Sequence, residues 1–329
     1  MNTLPEASPV SFETYGEASG WAAKPTSRDD GAFIRASYPF RGRIDDDGPH
    51  PPERGRYVLY ISYACPWAHR QAIVRALKGL EDVIAMAVVD PVRDGRGWAF
   101  RAGDGLTLDP YNGFTLLREA YEATEPGYPG HISVPVLWDT ATHRIVSNNF
   151  PDISLDLGSR FNRWAANPDL DLYPEALREE IDAVNDIVYR TVNNGVYRCG
   201  FARSQHAYDV AVAELFATLD TLEERLAHQT FLIGDQLTEA DVRLWPTLAR
   251  FDAVYVTHFK ANLLRLTDYP NLWDYARHCY AMPAFRATTR FDHIKRHYFT
   301  THPHINPTRI IPVGLHADWE APSLRPLRP

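Results

Sequence analysis

A cysteine at the junction of a predicted strand and a predicted helix constrains this sequence more than any other feature. Residues 56–62 are rich in aromatic and β-branched side chains and indicate a buried strand. Apolar residues then recur at helical spacing from Ala68 to Leu80. Cys65 lies between the two, and Pro66 suits the first position of a helix, where a missing N–H costs nothing. The apolar run 83–89 completes a right-handed strand–helix–strand unit.

The predicted position of Cys65 favours its ionised form. Unpaired amide donors and the helix dipole stabilise a thiolate at a helix N-terminus, and Arg70 adds positive charge about one turn further on. We therefore expect a lowered thiol pKa and a nucleophilic cysteine. Ala68 occupies the place of a second cysteine in a CxxC pair, so a catalytic Cys65 forms mixed disulfides with a diffusible partner. The alternative is a small buried cysteine that only closes the turn.

Length, charge and cysteine content exclude several functional classes. A chain of 329 residues suffices for two domains. Its 42 acidic residues outnumber 34 basic ones, which argues against nucleic acid as a partner. No apolar run is long enough for a membrane span, and the N-terminus lacks the features of a secretory signal. Three cysteines (Cys65, Cys199 and Cys279) are too few for a disulfide framework, which predicts a reduced, cytoplasmic protein.

Changes in composition divide the chain into four predicted parts. Residues 1–55 are rich in Pro, Gly, Asp and Ser and form an irregular N-terminal arm. Residues 56–165 form an α/β domain with a long polar and aromatic insertion at 90–130. Residues 166–310 carry apolar side chains at helical spacing and form an all-helical domain, and residues 311–329 form a C-terminal tail that covers it.

Two short strands, 133–138 and 143–147, are predicted near the end of the α/β part. Pro135 lies in the first of them and cannot donate to a β-ladder. It therefore predicts a sheet edge or a sharp, cis turn. Further on, Thr238-Glu-Ala-Asp241 is a capping box at the start of a predicted helix.

Five multi-residue motifs occur in one order along the chain. They are YACPWAHR at 63–70, VPVLWD at 134–139, NNGVYR at 193–198, RFDAVY at 250–255 and HIKRHY at 293–298. Together they resemble the glutathionyl-hydroquinone reductases, the cysteine-bearing Xi class of the glutathione transferase superfamily. The resemblance implies a glutathione transferase fold, in which a thioredoxin-like α/β domain precedes an all-α domain.

The resemblance implies that the chain reduces thiol conjugates of hydroquinones. Cys65 is then the nucleophile that attacks the sulfur of the conjugate and becomes a mixed disulfide, which a second thiol resolves. Tyr197 and Tyr298 match tyrosines that face the quinol ring and assist the leaving group. A phenol O–H suits this role because it can donate to an oxyanion or protonate a carbon centre. Without the resemblance, both tyrosines would be interpreted as buried aromatic residues.

The remaining site residues are also implied by the resemblance. Val134 and Pro135 match the cis-proline segment whose backbone pairs with the cysteinyl part of the thiol, and Trp98 matches an aromatic wall over it. Tyr63 and Arg70 support the cysteine motif. The expected co-substrate is a low-molecular-weight thiol, glutathione or mycothiol. The expected partners are small-molecule thiol conjugates of quinols and a second copy of the chain in a homodimer, with no metal.

One stretch departs from the family pattern. After the fourth strand the family has a Glu-Ser pair, whose Ser holds the γ-glutamyl carboxylate of glutathione. This chain has Asn149-Phe150, followed by Pro151. Loss of charge-assisted contacts of that kind costs on the order of 1.5–3 kcal/mol each. We therefore expect poor use of glutathione and better use of a thiol without a γ-glutamyl end, such as mycothiol.

Minor features leave some alternatives open. His293 and His297 are one helical turn apart but have no third ligand at a suitable spacing, so no zinc site is predicted. Cys199, close to Tyr197, is a candidate resolving thiol. A general thioltransferase of the omega-like type and a non-catalytic transferase-like scaffold are the alternatives to a quinol-conjugate reductase.

Overall fold

The computed structural model describes residues 4–18 and 27–325. Residues 1–3 and 19–26 of the predicted arm and 326–329 of the predicted tail lie outside the described residues.

Four strands form one mixed sheet in the order β2-β1-β3-β4. The strands are β1 (Tyr57–Ile61), β2 (Ala85–Val88), β3 (Val136–Asp139) and β4 (Arg144–Ser147). β1 runs parallel to β2 and antiparallel to β3, which in turn runs antiparallel to β4. Every residue of β1 is buried, as expected for a central strand covered on both faces. The four strands lie where the apolar runs predict them.

The described residues contain the following α-helices. They are α1 (Phe12–Tyr15), α2 (Pro66–Leu77), α3 (Arg118–Thr124), α4 (Phe150–Ser159), α5 (Arg178–Val188), α6 (Gly195–Gly200), α7 (Gln205–Leu226), α8 (Glu239–Arg250), α9 (Val256–His258), α10 (Pro270–Ala281), α11 (Pro283–Thr288) and α12 (Phe291–Thr301). Single turns of 3₁₀-helix lie at Asn162–Trp164, Glu175–Leu177 and Leu266–Asp268, and π-helical turns follow α5 and α8 at Tyr189–Asn193 and Phe251–Tyr255. Among the described residues, no helix combines the length and the apolar character that crossing a bilayer requires.

Helix α2 joins the sheet to the helical half of the protein. It packs against α4, α8 and α11, and its residues from Pro66 to Val74 are all buried. The predicted capping box begins α8, where the Asp241 carboxylate accepts from the Thr238 amide (2.8 Å) and from the Tyr275 hydroxyl (2.8 Å). The contact between α2 and α8 brings the end of α8 beneath the loop that carries Cys65.

The terminal segments pack on the body of the protein. The Gly42 amide donates to the Val146 carbonyl (2.9 Å), which continues the sheet beyond β4, and the Phe33 ring contacts the Phe201 ring at 5.3 Å. In the tail, the Trp319 ring lies 4.7 Å from Trp273 and 5.5 Å from Trp245. The domain limits at 55, 165 and 310 remain predictions. Helix α3, which interrupts the insertion predicted at 90–130, has no counterpart among the predicted elements.

Candidate active site

Cys65 is the N-cap residue of α2, and Pro66 is the first residue of that helix. The side chain is almost buried, with 9% of the residue exposed, at the base of a cavity that we call the Cys65 cavity. The Sγ atom lies 3.5 Å from the Val134 carbonyl oxygen, which accepts from the thiol. The Val134–Pro135 peptide bond is cis. Val134 lines the cavity, whereas Pro135 is buried outside its lining.

The thiol of Cys65 is not acidified as the sequence predicts. Burial raises its pKa, and the amides of Ala68 and Trp67 together with the charges of Arg250 and Arg35 lower it by less than burial raises it. The expectation of a lowered thiol pKa is therefore wrong. The helix N-terminus does act in the predicted direction, but desolvation of the charged form has the larger effect.

Alkylation of Cys65 by iodoacetamide is expected to rise with pH and to reach half its maximum above the ordinary cysteine pKa of about 8.5. Only the thiolate reacts, and because burial raises the thiol pKa, the thiolate fraction at pH 7 is smaller than that of free cysteine. The measurement uses a Cys199→Ser, Cys279→Ser variant, so that Cys65 alone reports. A plateau already reached below pH 7 would contradict this expectation.

The predicted tyrosines meet at the cavity wall. The Tyr197 and Tyr298 hydroxyls are hydrogen-bonded at 2.5 Å, and both side chains line the Cys65 cavity. Tyr255, which the sequence analysis did not select, adds a third hydroxyl 3.1 Å from that of Tyr298. Burial raises the pKa of Tyr197 and of Tyr298 well above the ordinary value, so both keep their protons at neutral pH.

Trp98 lines the cavity as well. The Trp98 ring stacks on the His297 ring, with 5.3 Å between their centroids. The Arg93 guanidinium lies 4.5 Å from the centroid of the Trp98 ring. The structure therefore brings together Cys65, Trp98, Val134, Tyr197 and Tyr298, which the sequence places far apart in the chain.

Arg70 is not among the residues that line the Cys65 cavity. Its Nη2 donates to Asn193 Oδ1 (2.9 Å) and to the Arg243 carbonyl (3.1 Å), and its guanidinium lies 4.8 and 4.7 Å from the Trp67 and Phe150 rings. The expectation that Arg70 supplies the charge near the thiol is corrected, because the arginines that lower the thiol pKa most are Arg250 and Arg35. Arg70 instead connects α2 to the helical half.

Tyr63 contributes its backbone rather than its ring. The Tyr63 carbonyl accepts from Arg250 Nη2 (2.7 Å), and the neighbouring Ala64 carbonyl accepts from Arg250 Nε (3.0 Å). The Tyr63 ring packs against His293 at 6.0 Å, away from the Cys65 cavity. Arg250, fully buried, thereby holds the loop that precedes the cysteine.

Asn149 and Phe150 lie beside the Cys65 cavity rather than in its wall. The Phe150 ring packs on Trp67 at 4.8 Å and on Tyr38 at 5.6 Å. Asn149 is the N-cap of α4, and its Nδ2 donates to Asp152 (2.6 Å). Both residues line a neighbouring groove, and Tyr38 lines the groove and the Cys65 cavity alike.

Several residues of the cavity wall were missed by sequence reasoning. They are Arg35, Tyr38, Arg93, His131, His297 and His302. Arg35 and Tyr38 come from the arm, so the arm forms part of the wall. The aromatic residues that the arm carries were a signal that it packs on the protein, but they do not indicate where.

The minor features take other positions. Cys199 is buried outside the cavity lining, and burial raises its thiol pKa to about 12, so its predicted role as a resolving thiol gains no support. The ring nitrogens of His293 and His297 donate to the backbone carbonyls of Asp104 (2.9 Å) and Pro91 (2.7 Å). Within the described ranges, no three His, Cys, Asp or Glu side chains are grouped as metal ligands.

A four-stranded α/β unit with one cysteine at a helix N-terminus beside a cis-proline, followed by a helical half, defines a cysteine-type glutathione transferase. A family profile described as the C-terminal domain of glutathione S-transferase matches residues 205–278. Glutathionyl-hydroquinone reductase YqjG of Escherichia coli (strain K12) is 46% identical over 307 residues, 91% of this chain and 93% of the relative.

Solved structures agree with this assignment. The glutathione-S-transferase Xi from Phanerochaete chrysosporium superposes with a TM-score of 0.86 at 49% identity, over 92% of this chain and 97% of the other. The glutathione-bound structure of YqjG gives a TM-score of 0.83 at 45% identity, over 90% and 97% of the two chains. The chain belongs to the glutathionyl-hydroquinone reductases, the Xi class of the glutathione transferase superfamily. It is an enzyme of the oxidoreductase type, and the predicted fold class is confirmed.

Proposed function

We propose that this enzyme cleaves thiol–hydroquinone conjugates through a mixed disulfide on Cys65. The observation that supports the proposal is the presence of a single cysteine and a hydrogen-bonded tyrosine pair in one cavity. The named relative YqjG is a glutathionyl-hydroquinone reductase, and a structure of it holds glutathione.

The geometry suits a two-step thiol exchange. The Cys65 thiolate attacks the sulfur of the conjugate, an S–S bond forms, and the bond between that sulfur and the quinol carbon breaks. The electron pair passes to the quinol ring, which takes up one proton and leaves as the hydroquinone. A second thiolate then attacks the mixed disulfide, leaves as a small-molecule disulfide and restores the Cys65 thiolate. The quinol carbon gains two electrons, and the two sulfur atoms that supply them, that of the conjugate and that of the second thiol, leave joined as the disulfide.

The tyrosine pair supplies the proton in this proposal. Both hydroxyls are held beside the cavity, and because burial raises their pKa, both remain protonated donors at neutral pH. A positioned general acid of this kind contributes about 10²–10⁴ to a rate.

Replacing Tyr298 with phenylalanine is therefore expected to lower kcat for a glutathionyl or mycothionyl hydroquinone by about 10²-fold. Tyr255→Phe is the matched control, because Tyr255 bonds to Tyr298 (3.1 Å) but does not line the cavity. Its expected loss is less than about 10-fold. Steady-state kinetics on both variants checks this, and equal losses in the two would remove the assigned role of Tyr298.

The identity of the thiol is the finer part of the proposal. The groove next to the Cys65 cavity is lined by Asn149, Phe150 and the carboxylates of Asp182 and Asp186. Arg243 also lines it but is paired with Glu239. Asp186 is likewise paired with Arg190, so a γ-glutamyl carboxylate that reached past Tyr38 would meet an apolar ring and, among the described lining residues, no unpaired positive charge. A neutral, hydroxyl-rich head, such as that of mycothiol, suits these groups better.

Kinetics with the two thiols tests this part directly. We expect kcat/KM for mycothionyl hydroquinone to exceed that for the glutathionyl conjugate by about 10-fold or more, since charge-assisted contacts to glutathione are lost. Asp186→Asn, at an exposed position of the groove, should improve the glutathionyl conjugate a few-fold and leave the mycothionyl one unchanged. A low, saturable glutathione KM in the unmodified enzyme would sink the mycothiol proposal. Faster turnover of simple mixed disulfides than of either conjugate would instead favour the general thioltransferase.

A further inference from the structure

Arg93 is a buried cation without a carboxylate or hydrogen-bond partner in the described part of the chain. Its side chain lines the Cys65 cavity, and the residue is 4% exposed. The guanidinium rests against the Trp98 ring at 4.5 Å and, among residues 4–18 and 27–325, takes part in no hydrogen bond or salt bridge. A buried charge normally has an opposite charge or hydrogen-bond acceptors around it.

The acidic residues nearest to Arg93 in the sequence are already occupied. Asp90 is paired with Arg101 at 3.0 Å, and Asp94 is paired with Arg96 at 2.7 Å. Each carboxylate therefore has its own arginine, and neither is left to pair with the guanidinium of Arg93.

The cavity as a whole carries positive charge. Arg35 also lines it, held 4.5 Å from both the Trp67 and the Tyr197 rings, with its Nε donating to Asn194 Oδ1 (2.7 Å). In the part of the chain that the structure describes, no Asp or Glu side chain lines the cavity. His131 is neutral there, because burial lowers its pKa to about 4.

We propose that Arg93 binds a carboxylate of the conjugate that enters the Cys65 cavity, with Arg35 as a second positive charge on the same cavity. The planar guanidinium matches a carboxylate with two parallel hydrogen bonds. This inference rests on the proposed function and specifies its substrates as anionic conjugates.

The competing role for Arg93 is that of counter-ion to the Cys65 thiolate. The backbone amides of Trp67 and Ala68 hydrogen-bond to the Cys65 sulfur and lower the thiol pKa, but burial raises that pKa by more. Burial lowers the pKa of Arg93 to about 10, and the charge of Cys65 is the first of the negative charges that raise it again. The alkylation profile of an Arg93→Met variant therefore separates this role from ligand binding.

The carboxylate has two chemical sources, which the test separates. If glutathione is the thiol, it belongs either to the thiol half, at the glycyl end, or to the quinol half, on the ring; with a neutral thiol such as mycothiol it belongs to the quinol half. Calorimetric dissociation constants are measured for glutathione against glutathione ethyl ester, in which the glycyl carboxylate is blocked. They are measured in parallel for 2,5-dihydroxybenzoate against hydroquinone. Neither pair requires turnover, so failure of the reductase activity leaves this test intact.

Arg93→Met keeps an unbranched apolar stem and removes the guanidinium with its charge. We expect it to weaken binding of the carboxylate-bearing member of one pair by about 10–100-fold and to leave the other member unchanged. Arg93→Lys, which keeps the charge but not the planar group, should fall between. Arg118→Met, at an exposed position of α3, is the control for loss of a positive charge and should bind all four ligands normally.

Two results would overturn the proposal. Unchanged dissociation constants in Arg93→Met for both carboxylate ligands would show that Arg93 binds neither. An alkylation profile of Cys65 shifted to higher pH in Arg93→Met, with equal binding losses for all four ligands, would assign Arg93 to the thiolate instead. If the binding result holds but no conjugate is turned over, the proposed function fails and the anion site stands.

Discussion

Replacing Cys65 with serine is expected to lower kcat/KM for thiol–hydroquinone conjugates by about 10³-fold or more. The proposed chemistry needs a sulfur nucleophile, and the serine hydroxyl is neither acidic enough to ionise at the N-terminus of α2 nor able to form a disulfide. The substitution changes one atom in a cavity wall, so the fold should be unaffected. Steady-state kinetics and whole-protein mass spectrometry after exposure to the disulfides of glutathione and mycothiol check both parts.

Cys199→Ser is the matched control for this experiment. Cys199 is buried outside the Cys65 cavity, so this variant should keep its activity and its mixed-disulfide adduct. An adduct that persists in Cys65→Ser would move the nucleophile to another cysteine. Absence of any adduct in the unmodified enzyme, with either disulfide, would favour the non-catalytic scaffold.

Replacing Arg250 with methionine is expected to reduce the free energy of unfolding by about 3 kcal/mol. The guanidinium of this fully buried residue donates to the carbonyls of Tyr63 (2.7 Å), Ala64 (3.0 Å) and Pro246 (2.7 Å). Methionine fills much of the same volume but donates to none of them. Two buried carbonyls and the part-buried carbonyl of Tyr63 then lose a partner, and two of the three lie in the loop that carries the cysteine. Urea unfolding followed by circular dichroism measures the change.

Arg190→Met provides the comparison for this stability measurement. Arg190 pairs with Asp186 one turn away on the helix surface, with both side chains more than half exposed. Exposed pairs of this kind contribute little, so the free energy of unfolding should stay within about 0.5 kcal/mol of the unmodified protein. A loss of the same size in both variants would mean that Arg250 has no special structural role.

The parts of the fold that depend on local pattern could be predicted from the sequence. β1, β2 and α2 follow from an apolar run, a proline at a helix start and a second apolar run, and the capping box locates the start of α8. Helix α3 could not be predicted in this way. Its seven residues, REAYEAT, contain too few apolar positions to show a helical period, and tertiary packing of Ala120 and Tyr121 stabilises it.

The residues of the candidate site also fall into two groups, those that a local motif identifies and those that only the tertiary fold brings to the cavity. Cys65, Tyr197 and Tyr298 belong to short motifs, so a resemblance identifies them. Arg93 and Arg35 belong to irregular segments, and their place beside Cys65 depends on how the arm and the insertion fold back. The thiol pKa was mispredicted for a related reason: the helix N-terminus is a local feature, whereas burial is a property of the whole assembled cavity.

The assembly of the site from distant segments also sets the time at which a growing chain acquires it. Arg250 lies 186 residues after the Ala64 carbonyl that it binds, and Tyr298 follows later still. At the ordinary pace of translation, roughly 5–20 residues per second, the cysteine loop waits roughly 10–40 s for its supporting arginine. Until then the loop before Cys65 lacks its hydrogen bonds from Arg250, and we expect the thiol to be exposed to solvent on the ribosome-bound chain. The cavity that restricts access to the thiol is complete only after the last helices, which carry Tyr298 and His297, have folded against it.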